Sequence, residues 1–429
     1  MLLFTYRFLH YLLAPLLAVW MWVRKLKGRE DPERYAERKG IATTPRPYGP
    51  LLWVHGASAG ESASTLAVLE HLRALKPEVN LLLTTGTRSG MQILMARAPR
   101  LPGTGQTIIQ YVPIDTPWAT TRFINHWKPT ISVFTESDFW PELLSKAPNP
   151  ILLNGRISNR SWPKYKRYRW FFRPLISRFI HILAQRPVDV ERLKYLGAKN
   201  VSIGGNLKFD AEPLPVDAHQ QAKMQVAIGG RPTLVVASTH PGEEEEAAKL
   251  HLALRQAVPD LLTIVVPRHP HRGTQASNDL HRHVKFIHRR GIGQMPKKSG
   301  PTPTDIYVAD TMGELGLWYR LAHVAVIGAT LLKYGGHNPL EPLKLGTPTI
   351  AGPHFYNFDD MVPGLVDAGI LTVSPTLPEL AQTLRQWLTN PDLLNQIRGK
   401  IGSTMPAIGG ASFTAATLLA EYIDKQPHA

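Results

Sequence analysis

Acidic side chains follow two apolar, strand-like segments, at positions where a carboxylate could act as a general base. The segment Leu51–His55 runs into a loop of small residues that ends at Glu61, the predicted start of a helix. The segment Ile131–Thr135 is followed by Glu136 and Asp138, just before a Trp-Pro pair. Small residues let a substrate approach the backbone closely, and a nearby base activates a hydroxyl group that is otherwise a poor nucleophile. The competing interpretation of Glu61 is an acid that only complements the helix dipole.

Cationic and glycine-bearing segments follow predicted strands in the second half, where they suit an anionic ligand. Lys208 comes after Gly204-Gly205-Asn206-Leu207 and could neutralise a phosphate or a sugar carboxylate, although an ordinary exposed lysine is equally compatible with this position. Arg268 and His269 follow the strand Leu262–Pro267, and a guanidinium can donate two hydrogen bonds to a phosphate. Two more such segments are Asp310–Leu315, with Met312, Gly313 and Glu314, and Gly335–Pro342, with Asn338, Pro339, Leu340 and Glu341. Helix starts in these segments would offer free N–H groups to an anion, and Glu341 could accept hydrogen bonds from a ribose or a base.

Short apolar strands that alternate with helix-length segments must position these residues. The clearest strands are Leu51–His55, Leu81–Thr85, Ile131–Thr135, Ile151–Asn154, Thr233–Ala237, Leu262–Pro267, Asp305–Val308, Val324–Ile327 and Thr349–Ala351. The pattern restarts after Asp210–Asp217, and 429 residues exceed one core at roughly 100–200 residues per domain. The sequence therefore predicts an α/β protein of two halves with parallel sheets, in which ligands bind beyond the carboxyl ends of the strands. The closing stretch, Gln382–Asp424, is predicted to be helical.

The N-terminal segment Leu2–Val23 is mainly apolar and precedes Arg24, Lys25, Lys27 and Arg29. A helix of this length would rise about 33 Å, enough to span a bilayer core, but Arg7 and His10 interrupt it and Pro15 could kink it. A spanning helix and an in-plane anchor are both compatible with this pattern. A cleaved signal peptide and a buried amphipathic helix are the alternatives. The basic residues place the following domain on the cytoplasmic side, where they can contact anionic lipid.

Charge and composition narrow the possible partners. The 49 Lys and Arg outnumber the 33 Asp and Glu, which gives a net charge of +16 and favours anionic ligands. No nucleic-acid-binding motif is present, so nucleic acid is not expected. The chain has no cysteine, which excludes disulfides and thiolate metal sites. No carboxylate lies at metal-ligand spacing beside the histidines, so no metal is expected.

In combination, these segments resemble the Kdo (3-deoxy-D-manno-octulosonic acid) transferase family of bacterial enzymes. The resemblance extends over nearly the whole chain. It is carried by the hydrophobic N-terminus, Arg34–Gly40, the loop to Glu61, Trp140-Pro141, Gly205–Lys208, Ser238–His240, Pro267–His269, Met312–Glu314 and Gly336–Pro342. It implies a GT-B glycosyltransferase fold of two Rossmann-like lobes with an interlobe cleft. Residues 1–29 would be a membrane anchor, 30–210 an acceptor-binding lobe, and 211–429 a lobe that binds the CMP-sugar, with terminal helices able to cross back.

The resemblance also implies roles for the residues singled out above. Glu61 would be the general base, and Glu136 or Asp138 together with Lys208 would stabilise the transition state. CMP would be contacted by Arg268, His269, Met312, Gly313, Glu314, Asn338, Pro339, Leu340 and Glu341. The reaction would be an inverting transfer of Kdo from CMP-Kdo to a lipid A precursor such as lipid IVA, without a metal or another cofactor. It would occur at the cytoplasmic side of the inner membrane, in contact with anionic lipids.

Two departures from the family pattern concern the acceptor side, and two other functions stay open. The acidic motif usually reads Glu-x-Glu-x-Trp-Pro, whereas the second acid here is Asp138, which is one methylene shorter. Gly56 and Ala59 stand where bulkier residues are more usual. Another GT-B enzyme that uses a UDP-sugar, either a transferase or an epimerase, is the enzymatic alternative. A membrane-surface scaffold without nucleotide binding is the non-enzymatic one.

Overall fold

The chain folds as two compact α/β units. The computed structural model describes residues 2–28, 30–137, 139–359 and 361–425. The first unit comprises residues up to Ala211 and from Ile408 onward, and the second comprises Glu212–Ala407. The chain therefore passes to the second unit after Ala211, and its final segment returns to the first unit.

The first unit is built on a parallel sheet of seven strands. In chain order these are β1 (Leu51–His55), β2 (Asn80–Thr85), β3 (Thr107–Tyr111), β4 (Ile131–Thr135), β5 (Pro150–Gly155), β6 (His181–Ala184) and β7 (Val201–Ile203). Their order across the sheet is β3-β2-β1-β4-β5-β6-β7. Strands β1, β2, β4 and β5 are buried along their whole length, as expected for a parallel sheet covered on both faces.

Helices cover this sheet. They are α1 (Leu2–Leu12), α2 (Ala14–Leu26), α3 (Tyr35–Arg38), α4 (Ala59–Leu75), α5 (Arg88–Arg97), α6 (Pro117–Trp127), α7 (Pro141–Lys146), α8 (Trp162–Arg167), α9 (Arg169–Ile176) and α10 (Pro187–Tyr195). The N-terminal segment forms two helices and not one, because the chain breaks at Leu13 and bends by 69°. Pro15 lies in the first turn of α2, where it cannot continue the preceding helix.

The second unit repeats this architecture. Its sheet has the order β10-β11-β9-β8-β12-β13-β14. The strands are β8 (Thr233–Thr239), β9 (Leu262–Pro267), β10 (Ile287–Arg289), β11 (Ile306–Val308), β12 (Val324–Ile327), β13 (Thr349–Ala351) and β14 (Leu371–Val373). The helices are α11 (Ala218–Ile228), α12 (Glu243–Arg255), α13 (Gly273–His281), α14 (Leu315–Leu321), α15 (Leu340–Leu343), α16 (Val362–Asp367), α17 (Leu377–Thr389) and α18 (Pro391–Ala407).

The last helix, α19 (Ala411–Asp424), packs in the first unit. Its buried face includes Ala415 and Leu419, which join the hydrophobic cluster of Leu66 and Leu69 on α4. The apolar spacing of α19 thus completes the core on the face of the sheet covered by α4.

Buried carboxylates attach the N-terminal helices to the first unit. The Tyr6 hydroxyl donates to Asp115 Oδ2 at 2.7 Å, and Arg7 Nε lies 2.9 Å from Glu142 Oε2. The opposite side of the helix pair exposes large apolar side chains, among them Phe4, Phe8, Leu12, Val19 and Trp22. No single helix among the described residues is long and apolar enough to cross a membrane, and only the bent α1–α2 pair reaches that length and composition when taken together.

Candidate active site

Glu61 lies at the carboxyl end of β1, in the first turn of α4. Its Oε2 accepts hydrogen bonds from the Ala57 N–H at 2.9 Å and from the Thr135 hydroxyl at 3.0 Å. Its Oε1 accepts from the Ser58 hydroxyl at 2.9 Å, while Ser58 caps the helix by accepting from the Glu61 N–H. The carboxylate is half-buried and held by these contacts, so it is oriented and still accessible to a ligand.

The Glu61 loop needs small residues for a steric reason. A Cβ atom at Gly56 would lie 2.9 Å from the Ser62 backbone nitrogen, which is closer than real Cβ atoms come. Gly56 therefore lets the first turn of α4 fold back against the end of β1. Gly60 meets only the Ser58 hydroxyl, at 4.0 Å, so its small size is not required by packing.

Glu136 forms an ion pair with Lys208 and directly follows Thr135, one of the residues that bind Glu61. Strand β4, which ends at Thr135, neighbours β1 in the sheet. Lys208 Nζ lies 2.7 Å from Glu136 Oε1. Glu136 has a φ of +57°, an uncommon backbone conformation for a residue with a side chain, and its N–H donates to Leu153 O at 3.0 Å. The structure thus brings together three of the four residues expected at this site.

Asp138, the fourth of these residues, lies outside the described residues. The Trp-Pro pair that follows it begins α7, with Trp140 at the cap position and Pro141 in the first turn. The Trp140 ring is 45% exposed, so it remains available to a ligand or a membrane surface.

The loop that carries Lys208 is fixed from both sides. The Asn206 side chain caps the short 3₁₀ turn Leu207–Phe209 by accepting from the Lys208 N–H at 3.0 Å. The Leu207 N–H donates to Asn154 Oδ1 at the end of β5, at 3.1 Å. Asp210 then accepts from the Gly410 N–H at 2.7 Å and from the Ser412 N–H, at the start of α19. The last helix therefore helps to position Lys208.

In the second unit, most of the residues expected to bind CMP gather at the carboxyl ends of β9 and β12, on either side of β8. Arg268 and His269 follow β9 and are exposed. Asn338 and Glu341 follow β12, with Asn338 Nδ2 3.5 Å from Glu341 Oε1. Burial raises the pKa of Glu341, while Asn338 and Arg268 oppose this shift. Pro339 and Leu340 are buried beneath them as the start of α15.

A row of aromatic rings connects these strand ends. His240, after β8, stacks on Tyr334 with ring centroids 4.6 Å apart, and its Nε2 lies 3.1 Å from His337 Nε2. The His269 ring lies 6.5 Å from that of His240. Burial, followed by the positive charge of Arg268, lowers the pKa of His337 to about 4, so this ring is neutral at neutral pH. These rings form a flat aromatic surface near the exposed guanidinium of Arg268. An aromatic surface with a guanidinium beside it suits a nucleotide.

A buried carboxylate holds the two loops that carry these rings. Glu243, fully buried, accepts from the backbone N–H groups of His240, Ala329 and Leu331 at 3.0, 2.7 and 3.1 Å. Burial raises its pKa, and these N–H donors counteract that shift. Glu243 is therefore a positioning residue for the β8 and β12 loops. The sequence shows that Glu243 lies at the start of a helix, but it does not show that Glu243 binds Ala329 and Leu331.

Met312, Gly313 and Glu314 lie after β11, on the other side of β9. Met312 is 77% exposed. Both Glu314 oxygens are engaged by Arg290, with Nη2 2.6 Å from Oε1 and Nε 3.0 Å from Oε2. Burial acts to raise the pKa of Glu314, but Arg290 and Thr311 outweigh it and leave the pKa lowered. Glu314 therefore serves first as the partner of Arg290, and nucleotide contacts from this segment would come from Met312 and the backbone.

Several site residues were missed in the sequence. Thr135 and Ser58, which hold Glu61, looked like an ordinary strand residue and a loop residue. Tyr334 directly precedes the Gly335–Pro342 motif and His337 lies within it, but nothing in their spacing showed that they stack with His240. Across the described ranges, no group of three or more His, Asp or Glu side chains is arranged to hold a metal ion.

The two Rossmann-like units, with a fixed carboxylate in one and a cationic, aromatic set of strand ends in the other, define a glycosyltransferase of the GT-B class. Solved structures of the same fold include a UDP-GlcNAc 2-epimerase from Neisseria meningitidis, 12% identical, with a TM-score of 0.57 over 88% of this chain and 100% of that one. A glycosyltransferase from Rickettsia africae is also 12% identical, with a TM-score of 0.56 over 89% and 100%. These likenesses show the fold alone.

Sequence relatives give the family. Residues 33–211 match the family model described as 3-deoxy-D-manno-octulosonic-acid transferase (kdotransferase). The chain is 31% identical to the 3-deoxy-D-manno-octulosonic acid transferase of Rickettsia bellii over 92% of both chains. It is 29% identical to that of Haemophilus influenzae over 98% of this chain and 99% of the relative. The chain belongs to the Kdo transferase family, and it is an enzyme of Kdo transfer in lipopolysaccharide synthesis.

Proposed function

We propose that this enzyme transfers Kdo from CMP-Kdo to a lipid A precursor of the lipid IVA type, with inversion at the anomeric carbon. The observation that carries the proposal is the Glu61 carboxylate, which three hydrogen-bond donors hold at the carboxyl end of β1. A carboxylate fixed in this way is ready to accept a proton from an acceptor hydroxyl. The +16 net charge supports an acidic donor and a phosphorylated acceptor.

In the proposed step, the acceptor oxygen forms a bond to the anomeric carbon as the bond to the CMP phosphate oxygen breaks. The hydroxyl proton passes to Glu61, and CMP leaves with the bonding electrons. Lys208 Nζ, held 2.7 Å from Glu136, supplies a positive charge for the sugar carboxylate or the phosphate as negative charge builds on the leaving group. The salt bridge keeps Lys208 from adopting other rotamers before the substrate binds.

The nucleotide would bind at the strand ends of the second unit. Arg268 is exposed beside His337 and Glu341 and can donate two hydrogen bonds to the single phosphate. Glu341 and Asn338 offer polar groups to the ribose or the base. We propose that the reaction needs no metal, because the donor carries a single phosphate that the Arg268 guanidinium can neutralise.

We further propose that the enzyme attaches to the cytoplasmic face of the inner membrane through α1 and α2. The exposed apolar face of this helix pair supports insertion among lipids, and Arg24, Lys25 and Lys27 follow it where they would meet anionic headgroups. The polar attachments of Tyr6 and Arg7 to Asp115 and Glu142 favour an in-plane position over a spanning one, because they hold α1 against the folded body.

The test is Glu61→Gln, assayed with CMP-Kdo and a lipid IVA acceptor by CMP release and by the mass of the product. The amide preserves shape and can still accept from the Ala57 N–H, so we expect an intact fold and a loss of kcat of about 10²–10⁴-fold. Glu70→Gln, farther along α4, is the matched control and should retain wild-type turnover. Turnover near wild type in Glu61→Gln would remove the proposed base.

A further inference from the structure

A cavity of about 400 Å³ lies within the first unit, between the N-terminal helix pair and the carboxyl ends of β1, β2 and β3. Leu17, Trp20 and Met21 of α2 form one wall. The strand ends form the other wall through residues that include Ala57, Gly86 and Val112. Small-molecule sites typically have volumes of roughly 300–1,000 Å³, so this space is large enough for a ligand.

The lining of the cavity suits hydrocarbon. Apolar side chains and backbone provide most of it, and its polar groups are largely engaged within the protein. Asp115 accepts from the Tyr6 hydroxyl and from two backbone N–H groups of α7, and Arg38 Nε lies 3.3 Å from Glu30. A polyhydroxylated sugar would lose its hydrogen bonds to water here without replacement, whereas an alkyl chain would gain free energy for each methylene buried.

Two features relate this cavity to the chemistry at Glu61. Ala57 lines the cavity, and the N–H of the same residue donates to Glu61 Oε2 at 2.9 Å. A chain bound in the cavity would therefore hold its attached sugar close to the candidate base. Thr116 also lines the cavity, and its buried hydroxyl has no hydrogen-bond partner among the described residues.

The cavity also carries a positive charge at its edge. Arg24 and Arg38 both line it, and both pair with one carboxylate, that of Glu30. Glu30 offsets one of these two positive charges, and the Arg24 side chain is 27% exposed. An acylated ligand that bears a phosphate matches this combination of an apolar interior and a cationic edge.

We infer that this cavity binds one acyl chain of the phosphorylated acceptor lipid, with α2 as one of its walls. The inference rests on the proposed function, because it assigns the apolar part of the proposed acceptor to a place. It gives the N-terminal helices a role in substrate selection in addition to membrane attachment. A membrane phospholipid carries the same kind of chain, but proximity to the Glu61 loop favours the acceptor as occupant.

The experiment fills the cavity with a larger side chain and varies the length of the acyl chains on the acceptor. Leu17→Trp adds a ring on the cavity side of α2, and Leu16→Trp adds the same ring to its exposed side. Each variant is assayed in detergent with CMP-Kdo and synthetic phosphorylated glucosamine disaccharide acceptors bearing either long or short acyl chains. We expect Leu17→Trp to reduce kcat/KM for the long-chain acceptor about tenfold, through KM, because several buried methylenes are lost. The short-chain acceptor, the KM for CMP-Kdo and the Leu16→Trp control should be unchanged.

A second measurement does not depend on a variant that folds. An acceptor with a photoreactive diazirine at the end of its acyl chain should label wild-type peptides that contain Leu17 or Val112, and excess unlabelled acceptor should abolish this labelling. Labelling confined to other surfaces would overturn the inference, as would equal kinetics of Leu17→Trp and wild type at both chain lengths. A co-purified phospholipid that is lost in Leu17→Trp without any change in acceptor kinetics would assign the cavity to the membrane instead. If the wild-type enzyme transfers Kdo to neither acceptor, the proposed function itself is wrong. Failure of the cavity inference alone would leave wild-type transfer intact.

Discussion

Lys208 and Glu136 form an ion pair, 2.7 Å from Nζ to Oε1, although 72 residues separate them in the sequence. Their side chains are 30% and 18% exposed, so the pair is neither sealed in the core nor fully solvated. A lysine held in this way has a fixed direction and can still exchange its partner for a substrate oxygen.

The first prediction concerns this pair. Lys208→Met removes the charge and leaves Glu136 without its cationic partner, so we expect kcat with CMP-Kdo to fall about 10²–10³-fold. Glu136→Gln should have a smaller effect, because Lys208 keeps its charge and loses only its orientation. Steady-state kinetics measure both. Lys199→Met changes an exposed lysine nearby in the sequence and should be silent; an equal loss in that variant would contradict a specific role for Lys208.

The second prediction separates positioning from stability at the start of α19. Asp210→Ala removes the acceptor for two N–H groups and should destabilise the protein by about 1–2 kcal/mol, as the loss of a helix cap does. It should also lower kcat several-fold, because Lys208 belongs to the same loop. Asp217→Ala removes the cap of α11 and should cost comparable stability at full activity. Chemical denaturation and kinetics on both variants check this, and full activity in Asp210→Ala would refute the positioning role.

The third prediction is a pH dependence of stability. Burial, with the positive charges of Arg255 and Arg231, lowers the pKa of His251 to about 4. Since an unfolded histidine has a pKa near 6.5, acidification below that value protonates the unfolded chain before the folded one. Stability should therefore be unaffected by this group above pH 6.5 and should fall by about 2 kcal/mol by pH 5.

The matching variant is His251→Leu, which removes the titrating ring from its contact with Thr263. Between pH 7 and pH 5, this variant should lose about 2 kcal/mol less stability than wild type, whatever its stability at pH 7. The exposed His283→Leu should follow the wild-type curve. Urea unfolding at the two pH values measures the difference, and parallel losses in His251→Leu and wild type would show that His251 is not the group that titrates.

The fourth prediction tests the membrane face. Phe8→Glu with Leu12→Glu places two negative charges on exposed apolar positions of α1, and the body of the protein should fold normally because neither side chain is buried. Binding to vesicles that contain anionic phospholipid should fall at least about tenfold, since burial of two large side chains is worth roughly 3 kcal/mol or more. Vesicle co-sedimentation provides the measurement. Val226→Glu, an exposed position on α11, should bind as wild type does.

The fold was largely predictable because its central strands are short apolar runs between turn residues. All nine strands proposed from the sequence are present, and β1, β4, β9, β12 and β13 match the expected bounds. The five missed strands are β3, β6, β7, β10 and β14, and all of them except β6 lie at the edge of a sheet. Strand β10 is Ile-His-Arg and β7 spans only three residues, partly exposed, so neither shows an apolar run. An edge strand forms hydrogen bonds with one neighbouring strand only. This pairing leaves little pattern in the sequence from which the strand could be predicted.

The charged residues of the candidate site could be picked out from the sequence, but the residues that hold them in place by hydrogen bonds could not. Glu61, Arg268 and Glu341 stand out because charged groups follow apolar strands, and Lys208 stands out because it follows a pair of glycines. The Thr135 hydroxyl that holds Glu61 and the Glu243 carboxylate that holds two loops depend on contacts across 74 and 86 residues. Residue types and local spacing do not encode such contacts, which arise only when the sheet assembles. A single N-terminal helix was expected because the apolar pattern continues through Leu13. The backbone bends at that residue, and the pattern does not show it.

The return of α19 to the first unit has a consequence for biosynthesis. The second unit is continuous in sequence, so it can complete its core as soon as it leaves the ribosome. The first unit begins to emerge earlier, but the face of its core covered by α4 stays open until Ala415 and Leu419 have been synthesised. A transcript truncated near residue 405 would therefore give a finished second unit attached to an unfinished first one, which exposes apolar surface to chaperones and proteases.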